Sequence, residues 1–186
     1  MQDTENAILL TSDDITKEMK LGLEWFRKER KECGIVHDID LFAIVVNRNG
    51  KITRDEDIVF YNHWSDPAHI VYFSDDHDDW CEDEDDSIYI NLNNAAIDVE
   101  KIVIFANLHD ATCRRQNFSQ LTAFYMHTSF GTEKDDPIVF NDLPPTTVML
   151  LCEIKRNGNG WTLAPSGKGY PSDLISFFKE YGCLIE

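Results

Sequence analysis

The apolar positions of this chain fall mostly in short runs and alternations, the pattern of strands rather than helices. Leu41-Phe42-Ala43-Ile44-Val45-Val46 is an apolar run rich in β-branched residues, closed by Asn47-Arg48-Asn49-Gly50. Asn-Gly after such a run predicts a hairpin, with the return strand at Asp57 to Tyr61. Ser87 to Leu92 alternates apolar and polar, as a strand buried on one face does. Lys101 to Leu108 contains Ile102-Val103-Ile104-Phe105-Ala106, the pattern of a strand buried on both faces. Ala123 to Thr128 and Thr147 to Lys155 read as further strands, and Asn157-Gly158-Asn159-Gly160 turns the chain into Trp161-Thr162-Leu163-Ala164. Met19, Leu21, Leu23 and Trp25 alternate and predict a strand, although the basic run that follows also suits a helix.

One helix stands out. Leu174, Phe177, Phe178 and Tyr181 form a single apolar stripe at helical spacing, with Ser172 and Asp173 as caps and Gly182 as terminator. A shorter helical turn is predicted near Thr112 to Gln120. Many short strands with one terminal helix predict a mostly β protein: a β-sandwich of two sheets with a short C-terminal helix. No repeat, linker or break in composition divides the chain, so residues 1–186 read as one domain.

Charge changes the picture. Thirty-four acidic residues face seventeen basic ones, a net charge of −17. Such a surface repels nucleic acid and anionic membranes and attracts metal cations and basic partners. No apolar run approaches the ~18 residues of a membrane span. The first residues, Met1-Gln2-Asp3-Thr4-Glu5, are acidic where a signal peptide is basic, and the apolar stretch Ala7 to Leu10 is too short for one. A cytoplasmic location follows as the expectation. Cys33, Cys81, Cys113, Cys152 and Cys183 are odd in number and irregularly spaced, which argues for reduced thiols over a disulfide framework or zinc site.

The chemistry concentrates in Asp75-Asp76-His77-Asp78-Asp79-Trp80-Cys81-Glu82-Asp83-Glu84-Asp85-Asp86, where nine of twelve residues are carboxylates. Acidic runs are usually solvated tails. This one lies between two predicted strands, which pin its ends. Two carboxylates ~5 Å apart repel by about 3 kcal/mol at an effective dielectric of ~20, so a pinned loop gains from a neutralising cation. Calcium takes six to eight oxygens with tolerant geometry, whereas magnesium prefers fewer carboxylates and more water. The run is not an EF-hand: counted from Asp76, Trp80 and Cys81 fail the fifth and sixth positions, and counted from Asp83, Asn94 stands where glutamate belongs. A calcium site therefore needs ligands from elsewhere, and Asp38-Ile39-Asp40 is the second source, since carboxylates two apart on a strand share a face.

These segments resemble the TerD family of tellurium-resistance and stress-response proteins, from about Leu21 to the C-terminus. Asp38-Ile39-Asp40 resembles the family's FDLD segment, and Asp57 to Asn62 its DFVFYN segment. The acidic run matches the GDNxTGxGxGDDE loop without a gap, and Gly167-Lys168-Gly169-Tyr170 resembles the GQGY turn. Val99 to Val103 and Arg114 to Phe118 follow in register. The resemblance implies a β-sandwich that binds two calcium ions, a cytoplasmic location, a role in resistance to tellurite, other chemical stress or phage, and no catalysis. The implied ligands are Asp38, Asp40, Asp75, Asp76, Asp78, Glu82, Glu84, Asp85 and Asp86. The chain departs from the family where glycines of the loop are replaced by Ser74, Asp79, Cys81 and Asp83, and where Glu24-Trp25-Phe26 stands for GWD. The first change alters the backbone path that glycine permits, and the second removes a carboxylate.

His109-Asp110 followed by Arg114-Arg115 has the residue types of a general base and an anion clamp. No nucleophile motif or phosphate-binding glycine loop accompanies it, and a structural turn with arginines on an acidic surface is the stronger reading. The six histidines show no HxxxH or HExxH spacing, and His77 sits among oxygen ligands that favour calcium over zinc. Trp80 reads as packing against the sandwich edge ahead of a partner contact. The expected function is a calcium-binding stress-response protein that acts through other stress-response proteins or a basic partner. It is not an enzyme, binds no nucleic acid, and associates with membranes at most peripherally. The alternative is an acidic mimic that occupies a basic partner without metal.

Overall fold

A computed structural model of the chain describes residues 7–27, 37–73, 87–171 and 173–183. In chain order these form β1 (Ile8–Leu10), α1 (Ser12–Thr16), β2 (Met19–Arg27), β3 (Ile39–Asn47), β4 (Ile58–Val59), β5 (Val71–Phe73) and β6 (Ser87–Ile90). There follow β7 (Val99–Leu108), α2 (Ala111–Arg114), β8 (Leu121–Phe130), β9 (Glu133–Lys134), β10 (Ile138–Val139), β11 (Val148–Asn157), β12 (Gly160–Tyr170) and α3 (Leu174–Glu180). The strands form two antiparallel sheets: β1-β12-β11-β7-β3-β4, and β10-β8-β2-β6-β5 with β9 also on β8.

The expected sandwich is present, with a third layer added. Leu41, Ala43 and Val45 of β3 and Ile102, Ile104 and Ala106 of β7 point inward, into one core with Leu21 and Leu23 of β2, Ile88 and Ile90 of β6 and Met126 of β8. The alternate residues Phe42, Ile44, Val46, Val103 and Phe105 point outward, into a second core closed by Phe177, Phe178 and Tyr181 of α3. Both faces of β3 and β7 are thus dry, which is why their sequences are continuous apolar runs. β6 has one dry face and alternates: Ile88 and Ile90 are buried while Tyr89 points outward.

α3 forms where its stripe predicts. The Asp173 carboxylate caps it by accepting from the Ser176 amide at 2.7 Å, and Gly182 ends it at φ 91°. Ser172 lies outside the described residues. Phe177 packs its ring 4.4 Å from that of Phe105, and the Tyr181 carbonyl accepts from the Ile52 amide at 2.9 Å.

Several elements differ from expectation in instructive ways. The return strand after Gly50 is only Ile58–Val59, because Asp57 turns its buried carboxylate back to accept from the Thr53 and Arg54 amides at 2.8 and 3.1 Å. The Ala7 to Leu10 stretch supplies an edge strand on β12. The helical turn near Thr112 to Gln120 divides into α2 and a separate turn at Phe118–Gln120, since Arg115 adopts φ 54° between them. The Gly167-Lys168-Gly169-Tyr170 segment runs within β12, opposite a bulge at Leu150 to Cys152 in β11. That bulge turns both Leu151 and Cys152 into the sandwich core. Glycine is required twice here: Gly167 has φ 75°, and a Cβ on Gly169 would overlap Thr146 and Pro144. Among the described residues Cys152 and Cys183 are buried thiols and Cys113 an exposed one. No helix of the described residues is long and apolar enough to cross a membrane.

Replacing Phe177 with Ala removes the ring that joins α3 to Phe105, Tyr170 and Tyr181. The expected cost is about 3–5 kcal/mol, read as a lower urea midpoint with little change in m-value.

Candidate cation site

The described half of the candidate site lies where β3 begins and β7 ends. Antiparallel pairing sets Ile39 opposite Leu108 and Asp40 opposite Asn107, and the Asp38 carbonyl accepts from the His109 amide at 2.8 Å. Ile39 and Leu41 are committed to the inner core, so Asp40 takes the outward side with Phe42. The sequence of β3 thus carries the core and aims a carboxylate away from it with the same alternation.

Each carboxylate already faces a basic group. Asp38 Oδ2 lies 3.4 Å from Arg114 Nη1. Asp40 Oδ2 lies 3.5 Å from His109 Nδ1, and His109 Nε2 lies 3.6 Å from Asp110 Oδ2. The backbone that makes this possible is unusual, since Asp110 at φ 51° and Arg115 at φ 54° bracket α2 in left-handed conformations. The Arg114 amide donates to the Asp110 carbonyl at 3.0 Å, closing the single turn of α2.

Burial raises the Asp40 carboxyl above its ordinary range. The His109 ring opposes that rise and the neighbouring Asp38 charge adds to it, while hydrogen bonds from His109 and Asn107 act to lower it. Asp40 is therefore a carboxylate whose charge is costly in the folded chain. A cation beside it would relieve that cost, and oxygen donors of this kind suit a hard divalent ion.

Asp75, Asp76, Asp78, Glu82, Glu84, Asp85 and Asp86 lie outside the described residues, as do His77 and Trp80. Among the described residues no group of three or more His, Cys, Asp or Glu side chains converges to hold a metal ion. Asp38 and Asp40 by themselves would offer only part of a coordination shell. They also accept competition from Arg114 and His109, which the sequence reading assigned to a turn with arginines on an acidic surface. The pairing of Arg114 with Asp38 matches that assignment. The approach of His109 to Asp40 was not read from the sequence, because it depends on the β3–β7 register.

The TerD domain matches residues 1–181. The chain belongs to the TerD family. The match to a tellurium resistance protein TerD of Serratia marcescens is 28% identical over 181 residues, covering 95% of this chain and 93% of that protein. General stress protein 16U of Bacillus subtilis is 24% identical over 170 residues, covering 89% of this chain and 87% of its own length. A crystal structure of a homologue of telluride resistance protein TerD from Streptomyces coelicolor superposes with a TM-score of 0.67 at 15% identity, covering 88% of this chain and 95% of that one. The structural likeness shows that this chain shares its double-sheet architecture with that homologue.

In this TerD-family chain, Asp40→Asn removes a group whose folded pKa lies above its unfolded one. Such a group favours the folded state below the unfolded value near 3.8 and loses that contribution as pH rises through the folded value. In chelated buffer, Asp40→Asn is therefore expected to raise the melting temperature at neutral pH, with the gain vanishing below pH ~3.8.

Proposed function

We propose that this TerD-family protein is a calcium-binding stress-response component of the cytoplasm that acts through partner proteins and not by catalysis. The observation that carries the reading is the Asp38–Asp40 pair. It is set by the β3–β7 register at the end of the sheet, with the Asp40 carboxylate held above its usual range by burial and by its like-charged neighbour. Two ions are proposed, with Asp38 and Asp40 joined by carboxylates of the run Asp75 to Asp86. Family membership supports the stress role: relatives carry the names tellurium resistance protein and general stress protein. The net charge of −17 supports cationic ligands and basic partners over nucleic acid.

In this reading Arg114 serves as the internal counter-charge of Asp38 and His109 as a hydrogen-bond partner of Asp40. They limit repulsion when the cation is lost, and they yield their carboxylates when it binds. The cation in turn couples two segments distant in sequence, Asp38–Asp40 and the run after β5, so that binding adds to the stability of the fold.

The test is thermal unfolding of protein stripped with EDTA, then titrated with calcium or magnesium. Calcium at ~100 times its Kd is expected to add about 2.7 kcal/mol per site, and magnesium much less. Asp75→Asn with Asp85→Asn, and separately Asp38→Asn with Asp40→Asn, are expected to remove that gain. No shift with either ion would replace calcium by the second reading, an acidic protein that occupies a basic partner without metal.

A further inference from the structure

We infer that Arg114 is a built-in competitor for the cation at Asp38: its guanidinium holds that carboxylate against calcium, is displaced when the ion binds, and so sets the calcium concentration at which the ion is taken up. This rests on the calcium reading proposed above and adds the regulation of that site.

The guanidinium is delivered to Asp38 by a turn fixed at both ends. Ala111, the first residue of α2, is buried in the sandwich core, and Phe118 is buried there beyond it. The Gln116 amide donates to the Ala111 carbonyl at 2.9 Å, and the Phe118 amide donates to the Thr146 carbonyl at 3.1 Å. Asp110 and Arg115 flank α2 at φ 51° and 54°. Non-glycine side chains are strained in that left-handed region, arginine more than aspartate, and such strain persists only where the surroundings impose it. The anchored turn ends with Arg114 Nη1 3.4 Å from Asp38 Oδ2.

The two adjacent arginines differ. Arg114 is half-buried and pairs with Asp38, whereas Arg115 is exposed and makes no ion pair among the described residues. A general attraction of an acidic chain for arginine would not separate them. The direction of the turn does.

The chemistry of the pairing makes it a competition. A guanidinium keeps its proton throughout the physiological pH range, so no change of pH clears Asp38 of it. Only another cation can. A divalent ion on the same carboxylate would meet a fixed positive charge close by, and their repulsion grows as the ion approaches. The contact is also loose enough to exchange. Its 3.4 Å is longer than the ~2.7–2.9 Å of a tight charge-assisted bond, and Asp38 and Arg114 keep 47% and 32% of their side-chain surface exposed. Pairs this exposed are weak. Arg114 therefore delays the ion without excluding it. Asp40 differs, since its basic neighbour is His109 at 3.5 Å and no guanidinium. Of the two carboxylates, Asp38 is the one that must give up a permanent charge.

The experiment titrates calcium into the full-length chain by calorimetry, after stripping with EDTA and exchange into chelator-free buffer at about 0.15 M salt. Arg114→Gln is expected to tighten calcium binding about fivefold, the upper strength of an exposed ion pair. Arg115→Gln removes the same charge one residue away and is expected to stay within about twofold of the parent. In isotope-labelled parent protein, the Arg114 Nε–H resonance, assigned by its loss in Arg114→Gln, is expected to move as calcium is added. Uptake of calcium by Arg114→Gln where the parent takes none would support the competitor in its strongest form. No tightening in Arg114→Gln, equal tightening in both variants, or calcium uptake with an unmoved Arg114 resonance overturns the competitor and leaves the calcium reading standing. No uptake by the parent or by Arg114→Gln overturns the calcium reading and the competitor with it.

Discussion

The burial of β3 and β7 on both faces is the constraint from which the rest of the molecule follows. A strand with two dry faces leaves no room for polar side chains along its middle, so polar groups are pushed to its ends. Asp40 at the start of β3 and His109 just beyond β7 stand at one such end. The antiparallel register then places them side by side, and a one-residue slip would drive Asp40 into the sandwich core. The core thus fixes the geometry of the candidate site without contributing an atom to it.

α3 is the second requirement of the same constraint. Without Phe177, Phe178 and Tyr181, the outer faces of Phe42, Ile44, Val103 and Phe105 would be exposed as one apolar patch. The helix is short, with Leu174–Glu180 spanning two turns, and owes its stability to that docking and to the Asp173 cap more than to propensity. The stacked and tilted rings of Phe42, Phe60, Phe105 and Phe178 extend the same core to the residue that follows β4.

Acidic residues divide by what answers their charge. Asp57, Asp66 and Asp173 accept backbone N–H groups and close turns or a helix end. Glu153 accepts from Lys101 and lies equally close to Lys155, each at 2.5 Å. Burial would raise its pKa, yet the two lysines hold it below the ordinary range. Asp38 and Asp40 have weaker answers at longer distance. The carboxylates that build the fold are saturated by protein donors. Among the described residues, the pair at the end of β3 is held by longer contacts to Arg114 and His109 than these four are to their donors.

The sequence by itself determined the strand-rich class, the main strands, the terminal helix with its cap, and the segments that carry family likeness. All of these are local: alternation, apolar runs, Asn-Gly turns and a helical stripe are set by neighbours within a few residues. The continuous run of β7 even announced its two buried faces. Tertiary structure alone decided that α3 would supply the second of those faces, that Asp57 would shorten β4 by turning back on its own backbone, and that the bulge in β11 would send Leu151 and Cys152 to the same side. It alone brought His109 to Asp40 and Arg114 to Asp38. Those outcomes depend on register and on contacts between residues tens of positions apart, and a linear pattern holds no distance between such positions.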